Sequence, residues 1–280
     1  MIVVDYKSPQ ASKMFAESLR ETGFAVLSNF PVDHALIQEC YSIWHAFFAQ
    51  TLAEKEAYAF SSQTHEGYVS PSLSETAKGN TVKDLKEFYH YYINGRCPEP
   101  IRAKTDKLFQ EMLACATVLL SWIEQHCPHE IQRGFSMPLS EMIADSTRTL
   151  LRLIHYPPLH GNEEVGAIRA AAHADINLLT LLPAASEPGL QLLTKTGEWI
   201  DVPFSSEYLI INIGDMLQEC SGGFYQSTQH RVINPEGMDR KKARMSMPLF
   251  LHPRDEVRLS ERYLAEEYRQ QRFRELGLAD

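Results

Sequence analysis

The stretch AAHADINLLTLL, residues 171–182, is almost entirely small or apolar, as in a strand that is buried on both faces. Two polar side chains, His173 and Asp175, interrupt it two residues apart. Because side chains alternate across a strand, residues i and i+2 leave from the same face, so both groups are expected to project into one space. A His-x-Asp pair alone is weak evidence, and a hydrogen-bonded pair in the core is the other interpretation.

Short apolar segments separated by turn residues follow one another through this half of the chain and indicate strands. They are RTLLRLIHY, AIRAAAHADINLLTLL, GLQLLTKTGEWIDVP, YLIINIGDMLQECS, QHRVINP and ARMSMPLFLH. No helix-length apolar pattern interrupts the series before Ser260–Leu276, so βα crossovers are not expected. An unbroken series of strands predicts an antiparallel sandwich or barrel, and at this strand count a jelly roll.

The preceding part of the chain reads as mixed helix and strand. Gly23 is a helix stop, Asp33 a helix N-cap, and Thr51-x-x-Glu54 a capping box. FAVLSNF (24–30) predicts a strand, SSQTHEGYVSPSLSETAKGNTV (61–82) an exposed loop, and the stretch from about Pro100 to Cys127 a long helix.

The predicted class is therefore α+β, mainly β, with a double-stranded β-helix (jelly roll) core. Flanking N-terminal helices, one long helix and a C-terminal helix complete it. The predicted divisions form one structural unit: 1–100 a helical and mixed region packing on the core, 101–146 the long supporting helix and connector, 147–257 the jelly-roll core, and 258–280 the C-terminal helix.

Composition limits the function classes. The 280 residues carry a formal net charge of −9, which argues against a nucleic-acid partner. No apolar run approaches the roughly 20 residues of a membrane helix, and Asp5 stands where a signal peptide is basic or apolar. Five scattered cysteines, never spaced as CxxC, fit free thiols in a reducing compartment. We therefore expect a cytoplasmic protein that binds a small molecule, without a membrane or nucleic-acid partner; the sequence does not indicate protein partners.

Two later features strengthen the metal interpretation of the opening stretch. His230, in STQHRVINP, supplies a second imidazole near the start of a strand. Two imidazoles and one carboxylate form the facial triad that holds Fe(II) and leaves positions open. In ARMSMPLF, alternation places Arg244 and Ser246 on one face, and a buried guanidinium needs an anionic partner such as a small dicarboxylate.

With these residues identified, the chain resembles the isopenicillin N synthase-like branch of the 2-oxoglutarate and Fe(II)-dependent oxygenases, also called iron/ascorbate-family oxidoreductases. The resemblance covers nearly the whole length. The segments that carry it, in the order of the family, are GFAVLSNFPVDHALIQECY, KDLKEFY, LIHYPP, HADINLLTLL, GLQLL, GEWIDVP, LIINIGDMLQ, STQHRVINP and RMS.

The resemblance implies a role for each matching residue. The residues matching the iron ligands and catalytic centre are His173, Asp175 and His230. Arg244 and Ser246 match the pair that binds the distal carboxylate of the cosubstrate 2-oxoglutarate, and Tyr156 matches a tyrosine that hydrogen-bonds it. The implied activity is oxidation of a small organic metabolite by dioxygen (hydroxylation, desaturation or ring closure) with release of succinate and CO2; ascorbate is a possible reductant.

Three departures from the family pattern stand out. Ala174 replaces the usual threonine between the first two ligands, and Ile154 stands where an asparagine is frequent. The connection 231–243 between His230 and Arg244 is longer than usual, and its segment NPEGMDRKK is read as an extended hairpin. The spacing bears on register and leaves the proposed chemistry unchanged.

The residues that would contact the substrate are less well defined by the sequence than the metal ligands. Phe250 matches an aromatic residue that stacks on substrates in the family, with plain core packing as the alternative. Unbroken alternation places Arg169 on the side of His173 and Arg152 on the side of Tyr156, where either would receive an anionic substrate. The tyrosine-rich YHYY (89–92) and the loop at 61–82 are candidates for the mouth of the site, and a small acidic or aromatic metabolite is the hypothesis.

Two alternatives remain open from sequence. Some relatives use the same triad without 2-oxoglutarate, with ascorbate or by direct oxidation of substrate, although Arg244 and Ser246 favour 2-oxoglutarate. A non-catalytic jelly roll with structural zinc is the other, and it needs a fourth protein ligand. His155 and His252 are the available candidates for that ligand, and neither lies in a convincing position.

Overall fold

The computed structural model describes residues 1–73 and 83–275, and the elements below are those of these residues. The helices are α1 (Ala11–Thr22), α2 (His34–Phe48), α3 (Leu52–Glu56), α4 (Glu99–Gln125), α5 (His129–Gln132), α6 (Leu139–Met142), α7 (Asp215–Cys220) and α8 (Ala265–Glu275). The strands are β1 (Val3–Asp5), β2 (Phe24–Ser28), β3 (Gly67–Val69), β4 (Glu87–Tyr91), β5 (Leu150–Tyr156), β6 (Ala170–His173), β7 (Leu179–Pro183), β8 (Leu190–Leu193), β9 (Trp199–Asp201), β10 (Leu209–Ile213), β11 (His230–Val232), β12 (Arg244–Ser246) and β13 (Leu249–Leu251).

These strands form two sheets. The large sheet has the order β1-β2-β10-β7-β13-β5-β4-β3, with β12 also paired to β5, and the small sheet has the order β6-β11-β8-β9. All pairs are antiparallel except β1 with β2. The predicted mainly-β jelly roll is confirmed. The first 100 residues supply β1 to β4, so the N-terminal region is hydrogen-bonded into the large sheet.

The large sheet separates two hydrophobic cores. On its outer face, Leu151, Leu181 and Leu249 are fully buried together with helical residues such as Trp44 and Leu119. The inner core lies between the two sheets and consists of Phe24, Val26, Val69, Phe88, Ile154, Tyr156, Ala170, Leu182, Leu190, Leu192, Val202, Ile210 and Val232. Because side chains alternate along each strand, one strand supplies both cores, and polar residues on the inner face meet in one enclosed space.

Local signals fixed several element ends as predicted. Helix α1 ends at Gly23, whose φ of 74° is the left-handed conformation that glycine adopts without strain. The Asp33 side chain accepts a hydrogen bond from the backbone of Ala35 at the start of α2. The capping box between Thr51 and Glu54 is present at the start of α3.

Other predictions were wrong in detail. The stretch 171–182 is not one strand, because β6 ends at His173 and β7 begins at Leu179, with Asp175 in the turn between the two sheets. Within the predicted loop at 61–82, Gly67–Val69 forms a strand paired with β4; residues 74–82 of that prediction lie outside the described residues.

Two helical segments also replace predicted extended structure. The segment YLIINIGDMLQECS forms a strand only to Ile213 and then turns into α7. The connection before β12 contains a 3-10 helix, Gly237–Lys241, in place of the predicted hairpin. The C-terminal helix begins at Ala265 and is described to Glu275. No helix in the described part of the chain is long and apolar enough to cross a membrane.

Candidate metal centre

Three ligand-type side chains converge at the end of the inner space. His173 and His230 are register partners on β6 and β11, and their ring centroids lie 4.4 Å apart. The Oδ1 atom of Asp175 lies 3.9 Å from Nε2 of His173 and 3.7 Å from Nε2 of His230. One ligand atom from each residue lies within 4.8 Å of the others, which places all three within coordination reach of one ion between them.

Backbone hydrogen bonds orient both imidazoles. Nδ1 of His173 lies 2.7 Å from the carbonyl oxygen of Ala171, and Nδ1 of His230 lies 3.2 Å from that of Thr228. A carbonyl accepts only from N–H, so each ring carries its proton on Nδ1 and presents the Nε2 lone pair to the site. Desolvation and the neighbouring His230 lower the pKa of His173 to about 4, which favours the neutral ring at physiological pH although 40% of the side chain is exposed.

The carboxylate of Asp175 is held through one oxygen only. Its Oδ2 accepts hydrogen bonds from Thr180 Oγ1 at 2.5 Å and from Asn212 Nδ2 at 2.7 Å, which leaves Oδ1 facing the two imidazoles. Burial by itself would raise the pKa of Asp175, but the two histidines and the two hydrogen bonds outweigh burial and lower it. A buried, ionised carboxylate with one free oxygen is a hard anionic ligand suited to a divalent cation.

The turn that carries Asp175 is packed tightly against the end of β10. The backbone of Asp215 donates to the carbonyl oxygen of Asp175 at 2.7 Å. A Cβ atom on Gly214 would lie 2.1 Å from the carbonyl oxygen of Asn177, closer than real side chains come. A residue with any side chain at 214 would therefore push the turn, and with it Asp175, away from the histidines.

Thr180→Val tests this support. Valine keeps the shape of threonine but cannot donate to Oδ2 of Asp175, and Thr180 also accepts from Asn177 at 3.0 Å. We expect Fe(II) affinity to fall about 10- to 100-fold, the usual cost of losing a hydrogen bond to a metal ligand. Anaerobic titration of metal-free protein measures it, with the exposed Thr117→Val on α4 as control. Wild-type affinity in Thr180→Val would contradict this role.

A second polar cluster lies on the inner face at β12 and β5. Arg244 pairs with Tyr156 and Ser246 with Ile154, so the predicted residues face the same space. Arg244 is 2% exposed, its Nε donates to the carbonyl oxygen of Glu187 at 2.9 Å, and its Cζ lies 5.1 Å from the Tyr156 ring centroid. Its Nη1 is buried without a hydrogen-bond partner, so the site has a donor available for an anionic group.

The predicted substrate residues Arg152 and Phe250 lie further along the same inner face. Cζ of Arg152 lies 4.8 Å from the ring of Phe88 and 5.5 Å from that of Phe250. Nδ1 of His252, two residues beyond Phe250, is buried without a hydrogen-bond partner. This end of the inner space therefore combines two aromatic rings with a guanidinium and an imidazole.

The regular alternation that placed Arg169 on the same side as His173 is not present in the structure. The pairing of β6 with β11 shifts register between His230 and Val232, so alternation along β6 is broken. Arg169 is nevertheless 1% exposed, and its Cζ lies 6.0 Å from the Tyr156 ring. It lies next to the Arg244 cluster.

The expectation for YHYY was wrong for two of its tyrosines. Tyr89 and Tyr91 are fully buried in the outer core, so they form neither the mouth of the site nor a surface cluster. His155, which the sequence did not place convincingly as a fourth ligand, has Nδ1 2.8 Å from Oε1 of Glu87 and is not a member of the ligand cluster. Among the described residues, the one metal-ligand cluster has three members, so a closed four-ligand zinc site is not formed there.

Sequence reasoning missed Thr180 and Asn212. Each is a polar residue at an inner-face position of an otherwise apolar strand, and they are register partners on β7 and β10. That pattern was visible in LLTLL and LIINI, but only pairing of the two strands shows that both reach the same carboxylate.

Comparisons with known proteins agree with this geometry. The family model described as the 2OG-Fe(II) oxygenase superfamily matches residues 147–253, and the model for the N-terminal region of non-haem dioxygenases in morphine synthesis matches residues 3–110.

Individual proteins are similar over most of the chain. A solved structure from Shewanella oneidensis, named an oxygenase, is 52% identical with a TM-score of 0.90, and each chain is covered to 99%. A 2OG-Fe(II) oxygenase family protein from Caulobacter crescentus is 30% identical with a TM-score of 0.81, again with 99% of each chain covered. Jasmonate-induced oxygenase 4 of Arabidopsis thaliana is 27% identical over 274 residues, 89% of this chain and 70% of that protein.

Proposed function

This chain belongs to the 2OG-Fe(II) oxygenase superfamily, and from that premise we propose that His173, Asp175 and His230 are its iron ligands and that Arg244, Ser246 and Tyr156 bind 2-oxoglutarate. The class itself is established by the family: a 2-oxoglutarate-dependent dioxygenase that uses Fe(II). The observation that carries the residue assignment is the convergence of two Nε2 atoms and one carboxylate oxygen within 4.8 Å.

The donor set fits the metal. Two imidazoles and one carboxylate leave part of the coordination sphere open, as non-haem Fe(II) oxygenases require. When bound, the iron supplies oxygen activation, coupled to decarboxylation of 2-oxoglutarate to succinate and CO2. The chain's part is orientation: Ala171 and Thr228 fix the imidazoles, while Thr180 and Asn212 fix Asp175.

The cosubstrate end of the inner space, formed by Arg244, Ser246 and Tyr156, fits a dicarboxylate. Arg244 is anchored by the Glu187 carbonyl and retains Nη1 as a free donor, and Ser246 lies two residues away on the same face. A guanidinium fork binds a carboxylate through two parallel hydrogen bonds. Arg244 is buried next to the apolar inner core, so a charge pair with it would be stronger than in water.

We propose a small organic substrate with an acidic group and an apolar or aromatic body. The supporting features are the rings of Phe88 and Phe250 on either side of Arg152, and the inward position of His252. Aromatic rings stack on flat apolar groups, and a guanidinium is the preferred partner of a carboxylate. Five free, buried cysteines support a reducing compartment such as the cytoplasm as the place of action.

The test uses anaerobically Fe(II)-loaded protein that is then exposed to dioxygen with 2-oxoglutarate. We expect succinate formation that rises when acidic small-molecule fractions of a metabolite pool are added, and rises less with neutral fractions. Zn(II)-loaded protein is the control, because zinc has no redox chemistry. Substrate oxidation with ascorbate alone and no use of 2-oxoglutarate would instead favour the cosubstrate-independent oxidase.

A further inference from the structure

Two buried arginines lie near one tyrosine ring. Arg169 and Arg244 are 1% and 2% exposed, and their Cζ atoms lie 6.0 Å and 5.1 Å from the centroid of Tyr156. They come from different sheets: Arg244 begins β12 of the large sheet, and Arg169 immediately precedes β6, the edge strand of the small sheet. We propose that Arg169 is the second guanidinium of the cosubstrate site and that it sets the preference for a 2-oxo acid with a distal carboxylate.

The first support is unbalanced charge. Arg169 donates to the backbone carbonyl of Lys242, and Arg244 donates to that of Glu187 and also bonds the Tyr156 side chain. The carboxylate of Glu187 acts on both guanidiniums but supplies one negative charge for two positive ones, and two buried cations repel each other. An anion bound between them removes both costs, and a dianion does so better than a monoanion.

The second support is unused hydrogen-bonding capacity. Nε of Arg169 and Nη1 of Arg244 are both buried without a hydrogen-bond partner. Buried N–H donors are nearly always paired in folded proteins, so two orphans beside one ring indicate a ligand with at least two acceptor atoms. The two oxygens of a carboxylate meet that requirement.

The third support is the connection that precedes β12. The carbonyl that holds Nη2 of Arg169, at 2.8 Å, belongs to Lys242, directly after the 3-10 helix Gly237–Lys241. That helix lies in the connection 231–243 between His230 and Arg244. The same connection thus leads into β12 with Arg244 and supplies the contact that holds the second guanidinium.

The test measures binding, so it does not depend on turnover. Calorimetry under anaerobic conditions gives the Kd of Fe(II)-loaded protein for 2-oxoglutarate and for 2-oxobutyrate, which lacks the distal carboxylate. For Arg169→Met we expect the Kd for 2-oxoglutarate to rise about tenfold or more, with little change for 2-oxobutyrate. The preference for 2-oxoglutarate over 2-oxobutyrate, measured by the ratio of the two Kd values, should therefore decrease strongly. Arg169→Lys keeps the positive charge but not the planar guanidinium, so its Kd for 2-oxoglutarate should lie between those of wild type and Arg169→Met.

The matched control is Arg231→Met. Arg231 lies on the neighbouring strand β11 but bonds Gln191 and covers the ring of Trp199, so it should leave both Kd values unchanged. A purely structural role for Arg169 would lower the thermal midpoint and leave the Kd ratio of the folded protein unaltered, which would overturn the proposal. The inference depends on the proposed function: wild-type protein that fails to bind 2-oxoglutarate refutes that function, whereas tight binding by wild type and Arg169→Met alike refutes only the role of Arg169.

Discussion

His230→Ala should abolish iron binding and 2-oxoglutarate turnover. The substitution leaves one imidazole and one carboxylate, and Asp175 loses the partner 3.7 Å away that completes the ligand set. Loss of a hydrogen bond to a ligand already costs about 10- to 100-fold in metal affinity, so loss of the ligand itself should cost more. We expect residual succinate formation below about 1% of wild type and no iron after gel filtration with stoichiometric Fe(II).

Thermal unfolding separates this effect from misfolding. A metal that binds only the folded state raises the unfolding midpoint by mass action, so Fe(II) should stabilise wild type and leave His230→Ala unchanged. The control is His126→Ala, which removes a half-buried imidazole that bonds Ser12 far from the triad. It should bind iron like wild type. Wild-type iron affinity in His230→Ala would remove His230 from the ligand set.

Arg244→Ala should weaken 2-oxoglutarate binding more than any other change at the cosubstrate end. Truncating one partner of a buried, hydrogen-bonded charge pair costs about 2–5 kcal/mol. Arg244 fits that case because it is 2% exposed and its Nη1 has no partner within the described residues. The Fe(II) affinity should stay close to wild type, because the triad does not contact the guanidinium.

The measurement is an anaerobic titration of Fe(II)-loaded protein with 2-oxoglutarate, followed by the charge-transfer absorption of the complex. Arg244→Lys keeps the positive charge but not the two-pronged donor, and it should lie between wild type and Arg244→Ala. Arg231→Ala is the control, since its side chain packs on Trp199 outside the site. Unchanged affinity in Arg244→Ala would make the cosubstrate assignment wrong.

The sequence predicted the fold class and the members of the site better than their local geometry. His173 and Asp175 were expected on one strand, yet β6 ends at His173 and Asp175 lies in the turn that leads to the other sheet. The prediction of convergence held because a turn of that length still returns the carboxylate toward the imidazole. For Arg169 the basis of the prediction failed, because a register shift broke the alternation along β6 from which its position was predicted.

The sequence by itself determined the jelly-roll class, the family and the residue types that the chemistry needs, because strand alternation and short motifs are local properties of the chain. Only the tertiary structure decided that Thr180 and Asn212 share one oxygen of Asp175, and that Arg169 and Arg244 lie near the same tyrosine ring. Those contacts join strands of different sheets or of distant sequence position, and strand pairing across such separations is set by packing of the whole core.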